Sequence, residues 1–324
     1  MPHNILITGA SGYLGGDLLA ELVKADLPEY GKLLALVRSL EQAEAVRQLG
    51  AQPLTLDIHD EVAVREAVLG HEITVIYFLV DAVSSASQKL FINALGELKK
   101  RNNSDVHFLH VLDHWRKDVF ESFWSTDRPE TERRRPRVVH RAESSTGAFT
   151  KVSGNGKGGG FGNPISIQTV AIVQAAKALR RVYRTDSENP TWPVCHIADN
   201  TSLYIQILRT ILSGHDPGHG KYGYYLASSG SVPWNDIYNA FAKALAGRGV
   251  VDDAEVHDTN DEVLQKMANA LDCPKDFVAP QLGGRCTFTA EHGRKIGWRP
   301  AYTAENILAT ADEEVDRILQ HSKV

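Results

Sequence analysis

Residues 4–17 read Asn4-Ile5-Leu6-Ile7-Thr8-Gly9-Ala10-Ser11-Gly12-Tyr13-Leu14-Gly15-Gly16-Asp17. An apolar run of strand length, Asn4–Thr8, enters a glycine-rich turn. Beyond the turn, Leu14, Leu18, Leu19, Leu22 and Val23 recur at helical spacing. The order is strand, turn, helix, with glycines at 9, 12 and 15. Each glycine then has a physical task. Gly9 permits the tight turn, Gly12 lets the backbone approach a pyrophosphate, and Gly15 lets helix and strand pack closely. The helix N-terminus offers N–H groups and the positive end of its dipole to phosphates. The stretch predicts a dinucleotide site that includes Thr8, Gly9, Ser11, Gly12, Tyr13, Leu14 and Gly15.

The pattern continues outward. Leu33–Val37 is a second buried strand, and Glu41–Leu49 is helical. Pro53–Leu56 is a short strand running to Asp57, and Asp60 is placed to cap a helix over Glu61–Leu69. Ile73–Val80 and Val106–Leu112 are further apolar runs, with a helix over Ser87–Lys100 between them. Arg137–Arg141 reads as a sixth strand. Strands alternating with helices at this spacing form parallel β-α-β units, and right-handed crossovers wind them into one sheet. The fold class is α/β, a doubly wound parallel sheet of the Rossmann type with a smaller C-terminal lobe. The chain reads as a single unit over 1–324, the core mainly 1–180 and the lobe mainly 181–324.

The middle is less regular. Trp115–Trp124 reads as a short helix and Arg128–Arg137 as a solvated loop. Ser153–Pro164 holds six glycines in twelve residues, the composition of a mobile loop or lid. A helix follows over Ile165–Arg180. Later strands are expected at Pro193–Ile197 and Tyr224–Ala227. Helices are expected at Asn200–Leu212, Trp234–Ala246, Asp261–Leu271, Ala290–Ile296 and Ala304–Gln320.

Cofactor choice is set where the second strand ends, at Val37-Arg38-Ser39. A carboxylate there would bind a ribose diol, as NAD prefers. A guanidinium instead grips a 2′-phosphate with charge-assisted bonds, so Arg38 favours NADP over NAD. Asp57 is placed to accept from an adenine amino group or to act as a loop aspartate. Leu79 and Val80, ending the fourth strand, complete the expected site.

Composition bounds the rest. Of 324 residues, 43% are hydrophobic and 23% charged, with a formal net charge of −5, which gives no bias toward nucleic acid or membrane surfaces. Cys195, Cys273 and Cys286 are far apart and form no C-x-x-C pair, so neither a disulfide framework nor a metal site is expected. No signal-like or membrane-spanning run is evident, and a cytoplasmic protein is the expectation.

The chain resembles the extended, or atypical, short-chain dehydrogenase/reductase superfamily (NAD-dependent epimerase/dehydratase-like), including the NmrA-like group. Gly9-x-x-Gly12-x-x-Gly15 has that superfamily's glycine spacing. Cys195–Asn200 is similar to its V-H-V-x-D-x-A segment, and Ala290–Pro300 to its C-terminal A-R-K-x-L-G-W-x-P element. Read locally, Asp199 or Asn200 caps a helix, and Gly297-Trp298-Arg299-Pro300 is a helix stop with an aromatic anchor. Helices of this superfamily often pair subunits, so the resemblance allows a homodimer.

The resemblance also implies a catalytic Tyr-x-x-x-Lys pair, whose spacing of four puts both side chains on one helix face. This sequence has none: no tyrosine lies between Tyr77 and Tyr183, and none has a lysine four residues later. Asp113 and His114 stand at the end of the fifth strand, where open α/β sheets bind ligands, and a couple of this kind can shuttle protons. They are the candidate catalytic residues. His140, Glu143, Ser144 and Ser145, read as following the sixth strand, could line the pocket. The arginines of Arg133–Arg141 read as an anion catch or a solvated charge run.

Three functions are consistent with this reading. The first is an NADP(H)-binding enzyme acting on a small organic molecule without the usual pair: an isomerase, cyclase, dehydratase or atypical reductase. The second is a conventional NADPH-dependent reductase or epimerase. The third is a non-catalytic NmrA-like nucleotide-sensing regulator.

Overall fold

The computed structural model describes residues 2–80, 86–110, 139–143, 151–153, 162–286 and 289–321. Strands and helices alternate strictly through β5: β1 (Asn4–Ile7), α1 (Tyr13–Leu22), β2 (Leu33–Leu36), α2 (Leu40–Gln48), β3 (Gln52–Leu54), α3 (Glu61–Gly70), β4 (Ile73–Phe78), α4 (Ala86–Asn102) and β5 (His107–His110); the next described element is β6 (Val139–Glu143). The second half adds β7 (Lys151–Ser153), α5 (Ile167–Leu179), β8 (Val182–Arg184), β9 (Thr191–His196), α6 (Ile197–Leu212), β10 (Tyr224–Leu226), β11 (Gly230–Pro233), α7 (Trp234–Gly247), β12 (Val256–Asp258) and α8 (Asp261–Leu271). Four short helices close the chain: α9 (Val278–Leu282), α10 (Glu291–Lys295), α11 (Asn306–Ala309) and α12 (Ala311–His321).

Seven strands form one sheet in the order β10-β6-β5-β4-β1-β2-β3, and every neighbouring pair is parallel. The order reverses between β1 and β4, which is where doubly wound sheets open a crevice for ligands. β4 is fully enclosed, with all six residues buried. Its alternation explains the two layers. Val75 and Tyr77 face a core shared with α1, α2 and α6, whereas Ile76 and Phe78 face α3 and α4. Burying a side chain such as Phe78 contributes about 1.5–3 kcal/mol.

The seventh strand, β10, comes from the last third of the chain and pairs with β6. The lobe has its own core around α5, α7 and α8. It carries a three-stranded sheet, β11-β9-β7, and the two-stranded pair β12-β8. No helix among the described residues is long and apolar enough to cross a membrane.

Several expectations need correction. β7 includes Ser153, the first residue of the expected glycine-rich loop. His140 and Glu143 lie within β6 rather than after it. α6 begins at Ile197, so neither Asp199 nor Asn200 caps it; His196 does, its Nδ1 accepting from the Ala198 N–H at 3.2 Å. The helix expected over Ala304–Gln320 is two, broken at Thr310.

Candidate nucleotide site

The site is built where β1 ends. Thr8 is fully buried; its N–H donates to the Tyr77 carbonyl, and its Oγ1 accepts from the Leu79 N–H at 2.9 Å. One side chain thus joins the ends of the two strands that flank the reversal point. The chain then turns through Gly9, whose φ of +68° is the left-handed region that favours glycine. A Cβ there would stand 2.8 Å from the Leu79 carbonyl oxygen and 3.2 Å from a Val80 methyl.

The three glycines are not equivalent. A Cβ on Gly15 would lie 2.2 Å from the Gly9 carbonyl oxygen, a backbone atom that cannot step aside. Gly9 and Gly15 are therefore required by the protein's own packing. Among the described residues, a Cβ on Gly12 would meet only the Gly9 carbonyl oxygen, at 3.2 Å. The Gly12 φ of −87° suits any residue. The loop is fixed from within by Gly12 N–H donating to the Gly9 carbonyl at 2.8 Å. Gly12 is the N-cap of α1 and has no side chain with which to cap it, so the first-turn backbone N–H groups lack an intrahelical partner.

Arg38 stands exposed beyond β2, and among the described residues its guanidinium has no partner. Its backbone is held firmly: Gln42 Oε1 accepts from the Arg38 N–H at 2.8 Å while Ser39 caps α2 through the Gln42 N–H. Asp57 is exposed beyond β3, and its Oδ1 accepts from the His59 N–H at 2.9 Å. One carboxylate oxygen is thus engaged in its own turn. Asp60 caps α3 through the N–H groups of Val62 and Ala63, as expected from the sequence.

The structure brings Thr8, Gly9, Ser11, Gly12, Tyr13, Leu14, Gly15, Leu79 and Val80 to one end of the sheet, with Arg38 and Asp57 on the adjacent strand ends. Asp113, His114, Ser144 and Ser145, the expected helix over Trp115–Trp124 and the loop over Arg128–Arg137 lie outside the described residues, as do Arg133–Arg137 and the side chains of His140, Arg141 and Glu143. Of the expected lid over Ser153–Pro164, residues 154–161 lie outside as well.

Other residues at this end escaped the sequence reading. His110, the last residue of β5, is buried, with Nε2 2.9 Å from Gln88 Nε2 on α4 and its ring near those of Phe78 and Phe108. Gly162 and Asn163 lie against the glycine loop. The Asn163 N–H donates to the Ser11 carbonyl at 3.0 Å, and a Cβ on Gly162 would collide with that oxygen. Behind the loop, Asp17 of α1 accepts from Thr201 Oγ1 of α6 at 2.5 Å, and both are buried. Asp199, also buried, accepts from the N–H groups of Ala301 and Tyr302 at 2.7 and 3.0 Å. Trp298 Nε1 donates to the Asp199 carbonyl and to Ser202 Oγ, which makes the expected aromatic anchor literal. Asp199 carries a helix-start signal in the sequence, but its carboxylate gathers the backbone of Ala301 and Tyr302.

Comparison with known proteins agrees with the architecture. No family model matches the chain. A UDP-glucose 4-epimerase from Bifidobacterium longum, in complex with NAD+ and UDP, superposes with a TM-score of 0.60 at 13% identity, covering 97% of this chain and 98% of that one. The triphenylmethane reductase of Citrobacter sp. gives a TM-score of 0.60 at 12% identity, over 96% and 99%. The chain therefore has the fold of the extended, epimerase/dehydratase-type short-chain dehydrogenase/reductases. In sequence, 72 residues are 35% identical to the decarboxylating sterol-4-alpha-carboxylate 3-dehydrogenase of Dictyostelium discoideum, 22% of this chain and 21% of that protein. Another 67-residue match, 39% identical, is to the 4-hydroxy-2-methyl-3-oxo-4-farnesyl-3,4-dihydroquinoline-1-oxide ketoreductase of Stigmatella aurantiaca, 21% of this chain and 19% of that protein. The chain spans about a fifth of the length of these curated relatives.

Proposed function

We propose that this chain is a nicotinamide-dinucleotide enzyme, favouring NADP(H) over NAD(H), that acts on a small organic molecule in the cytoplasm. The observation that carries this reading is the inequality of the glycines. Gly9 and Gly15 are required by backbone contacts under 3 Å, while Gly12, at the first turn of α1, has among the described residues a single tight contact at 3.2 Å. A glycine the protein does not itself need is what close approach of a pyrophosphate calls for. Arg38, an unpartnered cation at the end of β2, is suited to a 2′-phosphate.

The nicotinamide would supply hydride transfer. The chain's own residues would supply binding, orientation and proton movement, without a Tyr-x-x-x-Lys pair. Isomerisation, cyclisation, dehydration or an atypical reduction fit that pattern. A conventional reductase is the second reading, favoured because both curated relatives are named for oxidoreduction. Asp113 and His114 remain the candidate proton carriers in either case.

The test is a fluorescence titration of the purified chain with NADPH and NADH, repeated with Arg38→Ala. NADPH should bind more tightly, and the variant should lose roughly ten- to a hundredfold of that preference, the worth of a charge-assisted contact. Absence of binding by either nucleotide overturns the reading. Equal affinities that ignore the mutation overturn the NADP preference alone.

A further inference from the structure

The last described helix packs on the segment that holds the glycine loop. α12 buries Ala311, Glu314, Val315 and Ile318 as a stripe at helical spacing. Glu314 is the anomaly in that stripe, a carboxylate only 2% exposed. Its Oε1 accepts from Thr169 Oγ1 at 2.8 Å, and its Oε2 from the Arg317 guanidinium one turn on. Thr169 is fully buried near the start of α5. The segment leading into α5 is the one whose Asn163 N–H holds the Ser11 carbonyl. Asn163 also folds back on Ile165, accepting from its N–H and donating to its carbonyl, so the arm is stiff.

Tyr13, the first residue of α1, lies within electrostatic range of the same groups. Burial, and next the nearby Glu314 charge, push its phenol well above the ordinary range, with the Arg317 guanidinium opposing. Thus α12 and the 162–169 arm meet at one buried ion pair, and the arm in turn holds the glycine loop. Such a pair is a poor way to gain stability, since apolar residues of similar volume hold helices at least as well. What it does well is select one geometry.

We propose that Glu314 and Arg317 are positioning residues for the glycine loop: by fixing Thr169, at the base of the arm that holds the Ser11 carbonyl, they set the backbone that receives the dinucleotide phosphates. The inference rests on the nucleotide reading above. It places a determinant of that site in the final helix, far from the motif in sequence.

The experiment is an NADPH titration of wild type, Thr169→Val and the double variant Glu314→Gln/Arg317→Met, with adenosine binding as the control. Adenosine carries no phosphate and does not report on the loop. Each variant is first checked by circular dichroism. In the double variant the NADPH Kd should rise about tenfold, while adenosine affinity stays within about twofold. Thr169→Val keeps the ion pair and the side-chain shape. It should show a smaller loss in the same direction, and it carries the test if the double variant fails to fold. Unchanged NADPH affinity in the folded variants overturns the positioning role and leaves the nucleotide reading intact. Parallel loss of NADPH and adenosine means general loosening and also overturns it. If wild type binds neither NADPH nor NADH, both the reading and the inference fall.

Discussion

Gly12 and Gly15 look alike in the sequence and make different demands in space. Gly15→Ala drives a methyl to 2.2 Å from a backbone oxygen, so helix and strand must separate. Overpacking of this kind costs about 1–3 kcal/mol, and the loop is displaced as well. Gly12→Ala meets one contact at 3.2 Å and loses only the capping advantage of glycine, about 1 kcal/mol or less. The two alanine variants should therefore separate stability from binding. Gly15→Ala should lower both the urea midpoint and NADPH affinity. Gly12→Ala should weaken NADPH binding with a near-native midpoint. A large stability loss in Gly12→Ala would show that Gly12 is packed more tightly than its single contact indicates.

At the scale of elements, α12 is held from outside as well as within. Arg248, just past α7, donates to Asp312 and Asp316, both exposed carboxylates. Hydrogen bonding to Arg248 holds the Asp316 carboxyl below its ordinary value. A lowered folded value means the contribution is fully present above the unfolded pKa, about 3.9. It is lost as pH falls through the folded value. Arg248→Met should lower stability near pH 7 by about 0.2–1 kcal/mol, because exposed pairs contribute little. It should also remove part of the decline on the acid side, measured as urea midpoints between about pH 2 and pH 5. An acid limb identical to wild type would show that the pair does not form in solution.

The same elements show what could be read from the sequence. β1, β2 and β4 were legible because a strand buried on both faces must be apolar along its whole length. β8, β11 and β12 were not. Val182-Tyr183-Arg184, Gly230-Ser231-Val232-Pro233 and Val256-His257-Asp258 carry no period of their own, and partners distant in sequence make them strands. Asp199 was visible as a helix-start residue, but its work is tertiary, gathering the 301–302 backbone. Glu314 sits in an apolar stripe, which is a readable signal. Asn163 and Gly162 gave none, since their role is a backbone approach to Ser11.

For the whole molecule, the three thiols report on how the units are packed. Cys195 and Cys286 are buried and Cys273 is partly so. Burial pushes the thiols of Cys195 and Cys273 above their ordinary value, so neither is activated. A thiol reagent at neutral pH should modify Cys273 first and slowly, with the other two reacting only as urea opens the fold. Rapid reaction of all three in native buffer would mean that the core around β9 opens far below the global transition.

The placement of β10 bears on how the chain is made. Eighty residues lie between the end of β6 and the start of β10, the strand that pairs with it. At about 5–20 residues per second, a ribosome exposes β6 for roughly 4–16 s before its neighbour emerges. During that interval the nascent chain carries an uncovered β-edge able to pair with a second copy. Slowing elongation between residues 144 and 223 should therefore increase the aggregated fraction of newly made protein, and a chaperone that shields strand edges should restore the soluble yield.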